Sequence, residues 1–323
     1  MNKYDNEKYN MVMFNDVYYK TCFYNPFSTL VNHLNENTHI AMIAEDIFFY
    51  DNRTDYRGLT LCVNCMSIDL DEICLRYGIL LERIEDNVYF KVKEAISNNK
   101  SAIIKVDQYY LPFSSIFKKQ HSEHYIAVCS FINGFYNVID NQTTIGCYNT
   151  IISDYYLKLA ICSNFLDFSM EDDYIVYKQY DTAKVNITYC KDIFFNKLKN
   201  NITKMIIGLD VLEKGIETYN EILFSEKFFF NALNDVNDLG HLLLYNKTYK
   251  LAEGYRNKNF FENAYFNIVL FNISEKWDLI KNILIKAHIS KIYCLNNLEY
   301  VKKLLNEIYI LESEYVSKIV KYI

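Results

Sequence analysis

No stretch of the 323 residues is apolar for long enough to cross a bilayer, and the opening MNKYDNEKYNMVMFND lacks the continuous apolar core of a secretory signal. The expectation is no membrane span and a cytoplasmic location. An excess of positive charge is missing too. With 34 Lys and Arg against 40 Asp and Glu, the formal net charge is -6, which gives no electrostatic basis for bulk binding to nucleic acid or to an anionic membrane. The chain has only two prolines, none in its second half, so nothing there interrupts a long helix. Nine cysteines make an odd count without the short spacings of a disulfide scaffold, and reduced thiols are expected. The pair Cys62 and Cys65 in CVNC has neither a second knuckle nor nearby histidines for a metal. It also lies in an extended apolar stretch, not at the helix start that a redox pair requires. Both are read as structural, and neither a metal nor a bound cofactor is expected.

What is abundant is core material: 51% of the residues are hydrophobic and 16% aromatic, with 30 tyrosines. That suffices for a large interior and two domains. Up to about residue 178 the pattern alternates between helix and strand. EDNVYFKVKEAISNN carries Val88, Val92, Ala95 and Ile96 at the spacing of one helical face, and SAIIKVDQYYLP follows as a short strand. HYIAVCSFINGFYNVIDN is two strand-like runs around Asn133-Gly134, a strong hairpin signal. From about residue 183 onward leucine and isoleucine recur three and four apart. The fold class is α+β for residues 1–178, followed by a mainly helical bundle or cap over 179–323. In the last helix, Val301, Leu304, Leu305, Ile308 and Leu311 form one stripe. The stripe serves either the core or a homodimer interface.

Cys22 precedes the first amphipathic helix, in TCFYNPFSTLVNHLN. A cysteine attacks acyl carbon when a histidine manages its proton and a third group fixes the imidazole. Of the six histidines, His33 is too far along the helix, and His241 and His288 sit among core-like residues. His124 opens the first hairpin strand, where a side chain is held rigidly at a strand end. On residues alone, a Cys22–His124 pair stands beside the plainer reading of two unrelated residues. Pro26 argues against a helix that starts at Cys22. Asn25 as N-cap with Pro26 at N1 leaves Cys22 in the preceding turn.

CFYNPFSTLVNHLN, EAISNNKSAIIKVDQYYLPF and HSEHYIAVCSFINGFYNVIDN, in that order over roughly residues 20 to 145, resemble the papain-like family typified by the butirosin biosynthesis H protein. They resemble the C39 bacteriocin-processing peptidases more distantly. The resemblance implies a papain-like cysteine protease fold with Cys22 as nucleophile, His124 as base and Asp140 as the orienting acid. Asp107, His121 and Tyr109 then become candidates for substrate binding. Asp107 either caps its turn or holds an acceptor amine, and His121 either shapes the acceptor pocket or is a surface residue. The activity implied is transfer of an acyl group from an acyl or peptidyl carrier protein to an amine or diamine, with amide bond formation, in nonribosomal peptide-type secondary metabolism. The acyl group would arrive on the carrier's phosphopantetheine arm; Lys118 and Lys119, beside His121, either meet an acidic carrier or are an ordinary solvated surface.

Hairpin geometry complicates the third residue. In strict two-residue register Asp140 lies across from Ala127, facing away from His124, while Asn141 falls across from Ile126 on the His124 face. A bulge or a wider turn would restore Asp140, so Asn141 stands as the second candidate orienter. For the oxyanion, the Cys22 N–H and the Asn15 side chain are the candidate donors. MFNDVYYKTC lacks the glutamine expected of a peptidase there. A C39-like peptidase and a non-catalytic carrier-binding scaffold are the competing readings.

Overall fold

The computed structural model describes residues 11, 13, 22–52, 61–67, 69–142, 146–166, 173–227, 229 and 236–323. The chain divides into two compact units, Met1–Met42 with Ile68–Ile187, and Ile43–Ser67 with Thr188–Ile323. The division was expected at residue 178. The contacts instead change hands near 187 and assign 43–67 to the helical unit.

The first unit contains α1 (Tyr24–Leu34), α3 (Leu70–Arg76), α4 (Val88–Ser97) and α5 (Asp154–Ile161). Most of α2 (Thr38–Ala44) also belongs to it. Its strands are β3 (Ile79–Arg83), β4 (Ser101–Asp107), β5 (Glu123–Ile132), β6 (Phe135–Gln142), β7 (Gly146–Ser153) and β8 (Tyr174–Lys178). They form one antiparallel sheet in the order β3-β8-β4-β5-β6-β7. Alternation along the strands sorts the two faces. Ala102, Ile104 and Val106 of β4, with Ile126 and Val128 of β5, bury against Val92 and Ala95 of α4 and Leu157 and Ala160 of α5. Residues of the opposite parity meet α1: Tyr125 packs on Phe23, Asn141 bonds Asn25, and the Cys147 thiol lies 3.6 Å from the Thr29 hydroxyl. The helical face foreseen at Val88, Val92, Ala95 and Ile96 is buried as expected. Asn98 and Asn99 end that helix, Asn99 in left-handed conformation.

The second unit is mostly helical: α6 (Ile187–Leu223), α7 (Val236–Phe260), α8 (Tyr265–Ser290) and α9 (Leu295–Tyr322), together with the ribbon β1 (Ile47–Asn52) and β2 (Leu61–Met66). Two glycines bring α6 onto the ribbon. A Cβ on Gly208 would stand 3.0 Å from the Tyr50 amide, and one on Gly215 would stand 3.0 Å from Leu61. In the last helix Val301, Leu304, Leu305 and Ile308 are core residues, but Leu311 is only half-buried and Glu312 takes the next core position. The Glu312 carboxylate is satisfied there by Lys250 at 2.8 Å and by the Tyr50 hydroxyl at 2.8 Å. Lys250 also pairs with Glu253 at 3.0 Å, and Arg256 donates to the Asp46 carbonyl. Cys62 is buried in β2, Cys65 is half-buried, and all nine cysteines carry free thiols. No helix among the described residues is long and apolar enough to cross a membrane.

Candidate active site

Cys22 sits in the turn ahead of α1, half-buried. The helix starts earlier than its sequence suggests: Phe23 is the N-cap, in helical conformation with no side-chain cap, and the Phe27 amide bonds the Phe23 carbonyl at 3.1 Å. Asn25 is therefore not the cap. Pro26 falls third in the helix, still among the first N–H positions that have no intrahelical acceptor, so its missing donor costs nothing. Aromatic packing offsets the absent cap. The Phe23 ring stacks on Phe27 at 5.0 Å and meets Tyr125 edge-on at 5.3 Å, anchoring the start of α1 to β5.

His124, the second residue of β5, is buried, and its Nε2 lies 2.5 Å from Asp140 Oδ1. Cys22 is its other hydrogen-bond and charge partner. With Nε2 engaged by Asp140, Nδ1 is the ring nitrogen left for the sulfur. Burial alone would push the imidazole pKa down. The hydrogen bonds to Asp140 and Cys22 and the attraction of both charges outweigh it, raising His124 to about 9.

Asp140 reaches this position through a register change. Next to the turn the pairing is the expected one, Ile132 with Phe135 and Phe131 with Tyr136, but beyond an irregularity between Val128 and Ser130 it becomes Val128 with Val138 and Ala127 with Ile139. Cys129 is the additional residue of a β-bulge. Continuing the shifted register sets Asp140 across from Ile126, on the His124 face. Both carboxylate oxygens are engaged there: Oδ1 also accepts from the Asn141 amide at 2.8 Å, and Oδ2 from the Tyr148 hydroxyl at 2.7 Å. Asn141 is thereby displaced as the histidine orienter. Its Oδ1 accepts instead from Asn25 Nδ2 at 3.0 Å, linking β6 to the first turn of α1.

Sequence reasoning missed Tyr148 and the structural role of Asn25. Tyr148 is the ladder partner of Asp140 in the β6–β7 pair, and recognising β7 as a third strand of the meander was the available signal. Among the other candidates, Asn15 lies outside the described residues. Asp107 is buried with both oxygens occupied: Oδ1 accepts from the amides of Tyr109 (3.0 Å) and Ser122 (3.3 Å), and Oδ2 from Ser163 (2.6 Å) and His121 Nδ1 (2.6 Å). Burial would raise this carboxyl, but the donors win and hold it below the usual carboxylate range. Asp107 thus caps its turn and has no lone pair left for an acceptor amine. Tyr109 stacks on the His121 ring with centroids 4.3 Å apart.

Among the described residues no group of three or more His, Cys, Asp or Glu is placed to hold a metal ion. Against known proteins, the chain matches no family model and no curated protein.

Proposed function

We propose that the chain is a cysteine-dependent acyltransferase of papain-like fold that moves an acyl group from a carrier-protein thioester to an amine. The observation that carries this reading is the contact of Cys22 with an imidazole whose far nitrogen is held by a buried carboxylate. A thiolate needs a proton-managing partner of that kind. The resemblance of residues 20 to 145 supplies the acyl donor and acceptor. Such donors are cytoplasmic, and the reading places the protein there.

The chemistry divides into two half-reactions. In the first, the Cys22 thiolate attacks the thioester carbonyl, the bond to the carrier sulfur breaks, and His124 gives its proton to the departing thiolate. The resting charge of His124, favoured by its pKa of about 9, suits it to that role as acid. Acylation then removes the sulfur's charge and its hydrogen bond, two of the influences that hold the imidazole protonated. Burial regains weight, and His124 becomes a base. In the second half-reaction an amine attacks the acyl-enzyme, the C–S bond breaks, and a proton from nitrogen returns to His124. Amide formation from a thioester is downhill, and exclusion of water decides between transfer and hydrolysis.

The test is product formation. Wild-type protein incubated with an acyl thioester and an alkyl diamine should yield the amide, detected by mass, and Cys22→Ala should abolish it. Hydrolysis of peptides without any use of thioesters would favour a peptidase. Loss of neither thioester nor peptide, with intact binding to a carrier protein, would favour a scaffold.

A further inference from the structure

A second imidazole stands three residues before His124 in the chain, and the two half-reactions leave it unused. His121 has its Nδ1 bonded to buried Asp107 at 2.6 Å, and its ring is clamped by Tyr109, with Phe165 tilted at 5.3 Å and Tyr110 edge-on at 6.2 Å. Its side chain is 43% exposed. Nδ1 alone has a partner, which leaves Nε2 open among the described residues. Asp107 pairs with Glu123 in the β4–β5 ladder, one position on from the Val106–His124 pair. Asp107 and His124 therefore lie in adjacent rungs at the same end of the β4–β5 pair.

Proton bookkeeping for the proposed reaction gives such a group a task. An alkyl amine has a basicity close to that of lysine, about 10.4, and near neutral pH it arrives as an ammonium ion. Making an amide from an ammonium releases two protons from nitrogen. His124 takes one, which restores the thiolate–imidazolium pair at Cys22. The second has no acceptor in the Cys22–His124–Asp140 set, since Asp140 has both oxygens engaged.

Resting on the acyltransferase reading, we propose that His121 is the base that takes the first proton from the acceptor ammonium, with Asp107 as its positioning residue. The Asp107 bond fixes the proton on Nδ1 and leaves Nε2 as the acceptor. Its stacked rings hold that nitrogen in place and offer an amphipathic wall to the amine's hydrocarbon chain. The titratable groups facing His121 are Asp107, Tyr109 and Tyr110.

The experiment compares discharge of the acyl-enzyme by two nucleophiles, 1,3-diaminopropane and hydroxylamine. The second is a weak base that is already neutral near pH 7 and needs no prior deprotonation. In His121→Gln the ratio of diamine to hydroxylamine discharge rates should fall at least about tenfold near pH 7, general-base assistance being worth more than that in many enzymes. The deficit should close above about pH 10, where the diamine is free base. A merely structural role would slow both nucleophiles together. An unchanged ratio with a normal acyl-enzyme would overturn the role of His121 and leave the acyltransferase reading intact. Failure of the wild type to acquire any acyl group would overturn both.

Discussion

At the scale of single residues, the environment of His124 opposes its own burial: an imidazole only 8% exposed would ordinarily be neutral, yet Asp140 and Cys22 raise its pKa to about 9. Removing either partner should therefore let desolvation win. Cys22→Ala, which imitates the electrostatics of the acylated enzyme, and Asp140→Asn should each lower the His124 pKa, followed by the NMR shift of its ring carbon. An unmoved titration in Cys22→Ala would contradict the acid-to-base exchange described above. The same shift links to stability. The folded value lies above the ordinary 6.5, so the contribution of His124 is complete below about pH 6.5 and is lost as pH rises through about 9. Residue type alone offered Cys22 and His124 as one of two readings, and Asp140 entered only through the family resemblance. Residue type was silent about Tyr148 and Asn25, since a tyrosine among 30 or an asparagine near a helix start acquires meaning only from its spatial neighbour.

At the scale of elements, turn and bulge divide the work of the β5–β6 hairpin. Asn133 and Gly134 have φ of 53° and 87°, the left-handed pair of a tight hairpin turn. Asn-Gly was legible because few residues tolerate that backbone. A Cβ at Gly134 would meet nothing within 4 Å, so Gly134→Ala isolates the backbone cost. It should destabilise the first unit by about 1–2 kcal/mol, read from urea denaturation, and an unchanged midpoint would show that the turn does not need left-handed geometry. The bulge at Cys129 was not legible. Nothing in the run AVCSF distinguishes a bulged from a regular strand, because the device is set by how β5 twists against its neighbours. The consequence was the choice between Asp140 and Asn141, which one inserted residue decides. The start of α1 escaped for a similar reason. The sequence offers Asn25 as a cap, but that side chain is bound to Asn141, a partner 116 residues away, and the packing of Phe23 takes over.

At the scale of the whole molecule, the change from mixed to helical structure was visible in the periodicity, whereas the transfer of residues 43–67 to the helical unit was not. That assignment depends on contacts between distant segments. Tyr50 bonds Glu312 and receives the Trp277 indole N–H at 3.1 Å, and Val63 bonds Asn246. Lys250, Glu253, Arg256 and Glu312 are all buried within this network, where losing one charge would strand its partner at a cost of about 3–5 kcal/mol. Such charges look like solvated surface in a linear pattern, and Glu312 interrupts a stripe that was read as purely apolar. The proposal that Cys22, beside a His124 held by Asp140, accepts an acyl group is tested most directly by trapping. Wild-type protein exposed to a short acyl thioester, quenched in acid and mapped by peptide mass, should carry one acyl group on Cys22 and none on the other eight cysteines. Cys22→Ala should carry none. An adduct spread evenly over exposed thiols such as Cys162, or retained in full by Cys22→Ala, would contradict it.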